Sequence, residues 1–453
     1  MSKHQFGILP SDGAAAHTVP DDILELEAGQ VKTQPSMDAA TLVAAADRAM
    51  RPAARSLRIA EGASPAPKLA DLAARSEKVA AVSAAQAAAV DSDSRFPAEA
   101  IDAARAERLL GAAVPREFGG EGAGIADIVD VCYVLGRACA STAMIYAMHQ
   151  ASVACLARHG RGSAWHQSLL RRLADEQLLL ASSTTEGERG GDVRNSKAAI
   201  ERRDSRITLE RTATVISYGE VADGIVTTAR RSAHAASADQ VLVAFLKADY
   251  TLERKAGWDA LGMRGTCSEG FRLVASGAAE QILPAGYDEI HARTMMPVAH
   301  LLWSGAWAGI AAAATDQARA FVRNATLRAE GTLPPGAAHL TRANASLQRL
   351  RSLVAGAAQR FELAADDSVA LESVDFQTGM NLCKVNASEL ALATVMSAMQ
   401  ACGLAGYRND GDFSVGRHLR DILSSPIMIS NDRILANLAM ASMLGGAPAS
   451  LRD

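Results

Sequence analysis

The stretch Gln400-Ala401-Cys402-Gly403-Leu404-Ala405-Gly406-Tyr407, with Arg420-Asp421 shortly after it, decides the reading of this chain. A glutamine, two spaced glycines and a tyrosine stand between apolar helical runs. That arrangement lets a backbone approach a flat, polar ligand closely, although glycines also serve ordinary helix ends.

Working outward, the surrounding 453 residues are too many for one compact core and predict two or three packed domains. The apolar fraction is 49% but aromatics are only 4%, so the core is mostly Ala, Leu and Val, a composition that favours helix. A mixed net charge of -4 gives no basic field for nucleic acid or a membrane surface. The six cysteines (Cys132, Cys139, Cys155, Cys267, Cys383, Cys402) show neither CxxC pairing nor histidines at metal spacing. They read as buried free thiols in a reducing compartment, with no metal site. The first 34 residues have no apolar h-region, and Asp21, Asp22, Glu25 and Glu27 argue against a transit peptide. Leu301 to Ala314 is too short an apolar run to span a bilayer and reads as a buried bundle helix. The expected location is cytoplasmic.

Residues 1–35 read as an extension without sustained periodicity. Helical spacing of apolar residues follows over 36–177, with Pro97 opening one helix. Near Leu178 the pattern changes to short β-branched runs, such as Ile207–Leu209, Thr212–Ser217 and Gln240–Phe245, separated by polar clusters. A β domain over 178–290 is expected, and a helical bundle over 291–453. The fold class is thus mainly α with a central β domain: a helical N-terminal domain, a small antiparallel β domain and a C-terminal four-helix bundle.

Several segments in this order resemble the acyl-CoA dehydrogenase family. The opening stretch is similar to its Gln-x-x-Gly-Gly-x-Gly-Tyr turn. Val114-Pro115-Arg116-Glu117-Phe118-Gly119-Gly120-Glu121-Gly122 resembles its Val-Pro-x-x-(Tyr/Phe)-Gly-Gly-x-Gly turn, a structural connection. Thr184-Thr185-Glu186-Gly187-Glu188-Arg189-Gly190-Gly191-Asp192 resembles Thr-Glu-Pro-x-Ala-Gly-Ser-Asp, with Gly187, Arg189 and Gly191 replacing proline, alanine and serine. Val215-Ile216-Ser217-Tyr218-Gly219 resembles (Trp/Tyr)-Ile-Thr-Asn-Gly, and Leu261-Gly262-Met263-Arg264-Gly265-Thr266 resembles Leu-Gly-x-Arg-x-Ser/Thr.

The resemblance implies FAD between the β domain and the bundle. Its contacts would come from Thr184, Thr185, Gly190, Gly191, Val215 and Ser217, with Gln400, Gly403 and Asn431 from the C-terminal part. Arg328 would reach the flavin pyrophosphate of a neighbouring subunit, although an exposed helix-end arginine is an equal reading. A homotetramer or homodimer is implied in the same way.

The family's α-proton acceptor is a glutamate in Tyr-Glu-Gly-Thr, shortly after an Arg-Asp pair. Counting from Arg420-Asp421 puts Met428-Ile429-Ser430-Asn431 there, and Ile429 cannot accept a proton. The minority position, near Pro297-Val298-Ala299-His300, holds no acid either. Asp432 and His300 are the replacement candidates, against the plainer roles of first-turn helix acid and core histidine. The implied reaction is dehydrogenation of an acyl thioester, carried by CoA or by an acyl carrier protein, with an unspecified electron acceptor. A flavin monooxygenase or oxidase needs no such base, and a non-catalytic homologue needs none.

Overall fold

The structure, a computed structural model, describes residues 67–186 and 193–444. The extension at 1–35, and Gly190 and Gly191, lie outside the described residues. Helices α1 (Pro67–Ser92), α2 (Ala98–Ala106), α3 (Ile125–Ala138), α4 (Ala140–His159) and α5 (Ala164–Glu176) come first. Strands follow as β1 (Leu180–Ser183), β2 (Glu201–Arg203), β3 (Arg206–Ser217), β4 (Gly224–Arg230), β5 (Gln240–Leu246), β6 (Tyr250–Ala256) and β7 (Ser268–Ala278). The C-terminal helices are α6 (Tyr287–Arg328), α7 (Ala337–Ala364), α8 (Val374–Cys402), α9 (Gly416–Ile422) and α10 (Asn431–Leu444).

The strands form two sheets, β1-β4-β5 and β2-β3-β7-β6. Their pairings are antiparallel except β1 with β4, which run parallel. The expectation of an antiparallel domain therefore holds apart from this one pair. The 40 or so residues between β1 and β4 supply the crossover that parallel pairing requires. Strand β3 alternates buried and exposed residues over most of its length, as a sheet with one wet face should. Strands β4 and β5 are buried almost throughout and form the inner layer. The register of β3 on β7 slips between Ala213 and Ile216. Such a bulge bends the strand and re-aims its side chains; this one lies just before Ser217.

Helix α6 is the spine of the bundle, packed against α3, α7 and α8. It is long and apolar enough to cross a membrane by length alone, yet 89% of its most apolar window is buried inside the body. It is the buried bundle helix that its composition predicts. A π-helical turn at His291–Met295 interrupts its start. Pro297 follows directly; it has no N–H to donate, and its ring crowds the carbonyl of the preceding turn. The wider turn accommodates both. Helix α3 meets α6 backbone to backbone, because a Cβ on Gly136 would stand 2.4 Å from the Ala306 carbonyl oxygen, and one on Gly309 2.2 Å from that of Tyr133. Any larger residue at that crossing would force the first domain off the bundle.

Candidate active site

The β-domain side of the site is built from strand ends. Thr184 and Thr185 leave β1 half-buried, and the Ser183 hydroxyl is shut from solvent without a partner. Glu186 is turned inward. Its carboxylate accepts from Ser196 Oγ at 2.6 Å and from the Lys197 and Ala198 backbone N–H groups, and lies 3.7 Å from Arg211 Nη1. Burial opposes this charge, but those bonds prevail and the carboxyl sits below its usual range. Arg211 is itself only 2% exposed and donates to the Thr228 carbonyl and hydroxyl. Burial pushes the pKa of its guanidinium down to about 10. The Thr-Glu segment thus carries a structural ion pair, preceded by the half-buried Thr184 and Thr185.

At the end of β3, Val215 and Ser217 are half-buried. Ser217 Oγ lies 2.7 Å from Ser268 Oγ, which lies 2.8 Å from Thr266 Oγ1. Thr266 Oγ1 donates to the Met263 carbonyl at 2.8 Å. Each hydroxyl has one proton. With that of Thr266 on Met263, Ser268 must donate to Thr266 and Ser217 to Ser268, so Ser217 offers lone pairs outward. The Met263 carbonyl also accepts from Trp258 Nε1 at 3.1 Å and Thr266 N at 3.1 Å. The ladder can therefore reverse, and Ser217 then donates outward. Tyr218 stands where the family pattern has asparagine. It holds a positive φ of 44° and its buried hydroxyl donates to the Leu180 carbonyl at 3.0 Å. It ties β3 to β1, an anchor that nothing in the sequence pattern marked.

The Leu-Gly-Met-Arg and Arg-Asp segments, far apart in sequence, dock on one another. Met263 N donates to Asp421 Oδ1 at 2.7 Å, and Gly262 lies against the Arg420 carbonyl. Arg420 pairs with Asp91 at the end of α1, and Arg264 Nε donates to the Asp91 carbonyl at 2.7 Å. Helix α1, the β6–β7 turn and α9 are latched at this point. Burial raises the Asp421 carboxyl to about 6, against the lowering pull of the Met263 N–H.

The proton-acceptor slot is apolar. Ile429 and Ser430 both take left-handed conformations, with φ of 57° and 47°. For a β-branched residue this is strained backbone, of the kind found at functional turns. Ile429 is half-buried and packs on the main core. Beneath the turn lies Lys384 of α8, which is fully buried. Its ammonium donates to Asn431 Oδ1 at 2.7 Å and to the Ser425 carbonyl at 3.1 Å, 5.6 Å from the Trp307 ring. Burial pushes its pKa down to about 8. Asn431 Nδ2 donates to Ser388 Oγ at 2.9 Å. Both ends of the Asn431 amide are thus engaged inside the bundle, and a cofactor contact from this side chain does not fit its geometry.

His300 is buried near Lys384, with Nδ1 3.4 Å from the Met380 carbonyl and its ring 5.7 Å from that of Trp303. Burial, and then the Lys384 charge, lower its pKa to about 3, which makes it a poor proton acceptor at neutral pH. Asp432 is exposed in the first turn of α10 and makes no side-chain hydrogen bond or ion pair among the described residues. Arg328 ends α6 exposed and without such a partner. Gln400 and Gly403 are also exposed, and Gly403 ends α8 with a φ of 57° and ψ of -134°, open to glycine alone. The loop after Arg328 meets this turn, because Gly336 touches the Ala401 carbonyl. The structure therefore gathers His300 and Asn431 around Lys384, sets Ser217 on its ladder, and leaves Arg328, Gln400 and Gly403 exposed. All six cysteines are free, and among the described residues no cluster suited to a metal forms.

Two family models match: the acyl-CoA dehydrogenase N-terminal domain over residues 70–177 and its C-terminal domain over 291–444. The chain belongs to the acyl-CoA dehydrogenase family. It is 26% identical to cyclohex-1-ene-1-carbonyl-CoA dehydrogenase of Geobacter metallireducens, over 78% of this chain and 91% of that protein. Among solved structures, butyryl-CoA dehydrogenase of Megasphaera elsdenii superposes with a TM-score of 0.69 at 17% identity, covering 85% of this chain and all of that one. Dibenzothiophene monooxygenase of Paenibacillus sp. A11-2 superposes with a TM-score of 0.71 at 16% identity, covering 84% and 98%. The two solved structures show a shared fold.

Proposed function

We propose that this chain is an FAD-dependent acyl-thioester dehydrogenase in which Asp432, rather than residue 429, accepts the α-proton. The observation that carries this reading lies at the strand ends of the β domain: the half-buried Thr184 and Thr185, and a Ser217 hydroxyl whose ladder runs either way. The match to a CoA-thioester dehydrogenase over nearly that protein's whole length supports the substrate class.

When bound, FAD supplies the acceptor for the hydride leaving the β-carbon. Ser217 can donate to a ring nitrogen that lacks a proton and accept from one that carries it, so it suits both redox states without moving a heavy atom. Asp432 is the nearest carboxylate in sequence to the Ile429 turn, and no partner among the described residues holds it; Asp421, by contrast, is buried on the Met263 N–H. Asp432 would hold the α-proton, and loss of that proton together with a β-hydride would leave the thioester as its α,β-unsaturated form. Lys384 and Asn431 keep the turn in place beneath the substrate. The exposed Arg328, Gln400 and Gly403 would complete the flavin site of a second copy, in a homodimer or homotetramer.

A second reading, oxygen chemistry on the bound flavin, is favoured by Ile429 itself, since a monooxygenase or oxidase needs no carboxylate in that slot. Anaerobic titration with a panel of acyl-CoA esters separates the two. For the dehydrogenase, one ester bleaches the flavin bands without oxygen, and Asp432→Asn slows that bleaching about a hundredfold or more. Flavin that stays oxidised against every ester, with oxygen consumed only when an external reductant is supplied, would establish the second reading.

A further inference from the structure

A cleft of about 670 Å³ opens where α1, the β6–β7 turn and α9 are latched. Arg264, Arg417, Arg420, His418, Asp91 and Asn409 are among the residues that line it. Three guanidiniums face one lining carboxylate, that of Asp91, which Arg420 already pairs through Oδ2. Arg264 is held by the Asp91 carbonyl and stands 3.9 Å from the fully exposed Asp259. Arg417 makes no hydrogen bond or ion pair among the described residues. Two further atoms are left without partners although shut from solvent: His418 Nδ1 and Asp91 Oδ1. Buried polar atoms are nearly always satisfied, and an orphan in a cleft marks a missing partner.

The unpaired groups of the cleft differ in what they need. Asp91 Oδ1 can only accept, so its partner must carry an N–H or O–H. The unpaired guanidinium of Arg417 can only donate, so its partner must be an acceptor, and a guanidinium is shaped for two oxygens of one phosphate. The volume is that of a small-molecule site and far exceeds that of a single inorganic ion. From this we infer that the cleft binds a phosphorylated ligand of nucleotide size. Arg417 and Arg264 take the phosphate, and small side-chain shifts on binding bring His418 Nδ1 to a polar atom of the ligand and Asp91 Oδ1 to a hydroxyl or amine. The inference does not depend on the reaction assigned above.

Calorimetric titration of the full chain, kept saturated with FAD so that the flavin's own diphosphate is accounted for, tests it. The titrants are ADP, adenosine 3′,5′-bisphosphate, inorganic pyrophosphate and adenosine. At low salt at least one of the two nucleotides should bind with a Kd below about 1 mM and more tightly than pyrophosphate, with adenosine weakest. Preference for the 3′,5′-bisphosphate would identify the tail of a CoA ester as the source, and preference for ADP a free nucleotide. Arg417→Gln removes no hydrogen bond or ion pair among the described residues, so it should keep an unfolding temperature close to the wild type and weaken the nucleotide about tenfold or more. His418→Asn should weaken it less. If neither nucleotide binds below about 1 mM, if Arg417→Gln binds as the wild type does, or if pyrophosphate equals both nucleotides, the inference falls.

Discussion

The two ends of the C-terminal bundle handle polar groups in opposite ways. Around Lys384 the ammonium is buried and sits on two oxygens, the Asn431 amide has both ends engaged, and a half-buried isoleucine packs on the core. At the other end Gln400 and Gly403 are exposed, with Leu404 and Tyr407 each 73% exposed beside them, and Gln400 has no side-chain partner among the described residues. A helix rise of about 1.5 Å per residue puts Arg328 roughly 40 Å from His300 along α6. The difference teaches which residues one chain completes by itself and which wait for something outside it. The buried end is finished within the chain. The exposed end has the chemistry of a contact but no partner among the described residues.

The sharpest way to break this comparison is to put an acid into the finished end. Ile429→Glu places a carboxylate in the family's slot on a turn already held by Lys384 and Asn431. If that turn faces the substrate, anaerobic bleaching by an acyl-CoA ester should speed up by about 10² to 10⁴. An unchanged rate would show that the turn points elsewhere.

Next is the clamp. Lys384→Ala leaves Asn431 Oδ1 and the Ser425 carbonyl without their donor and opens a cavity under Trp307. Relief of the buried charge offsets part of this, and the net loss should be about 2–4 kcal/mol in denaturant unfolding. A variant as stable as the wild type would mean that the buried network holds nothing.

The same lysine gives a pH signature. Burial lowers its pKa to about 8, below the 10.5 of a free lysine. Between those values the folded state binds fewer protons than the unfolded chain, so folding stability rises with pH through that window. Below about pH 8 both states carry the charge and the burial cost is constant. Relative to Lys384→Met, which has no proton to lose, the wild type should gain stability from about pH 8 to 10. A flat difference across that range would place the ammonium in a wetter setting than its contacts suggest.

The smallest effect on stability belongs to the exposed end. Arg328→Ala and Gln400→Ala touch no internal partner and should change unfolding free energy by less than about 0.5 kcal/mol. The flavin-to-protein ratio after gel filtration should nevertheless fall in both. Full flavin retention would remove the reason for reading this end as an incomplete site.

Much of this was legible in the chain itself. Periodicity and β-branched runs gave the order helices, strands, helices, because those signals are local and arise from burial of one face. The ordered motifs gave the family, and a count from Arg420-Asp421 exposed the missing glutamate. Less legible was what each motif residue does. Asn431 counted as a cofactor contact, yet Lys384, an unremarked lysine inside an apolar helix, takes its oxygen. A charged residue deep in an apolar helical stretch was the available signal, since it must find a partner.

What the sequence determined is therefore the set of elements, the family and the identity of residue 429. What only the tertiary structure decided is the pairing of polar groups across long separations: Lys384 with Asn431, Met263 with Asp421, Arg420 with Asp91, and the hydroxyl ladder beside Ser217. The parallel pairing of β1 with β4 belongs there too. The physical reason is that periodicity reports which face of an element is dry. A hydrogen bond between distant segments depends on where the packed elements bring their ends, and no local pattern records that.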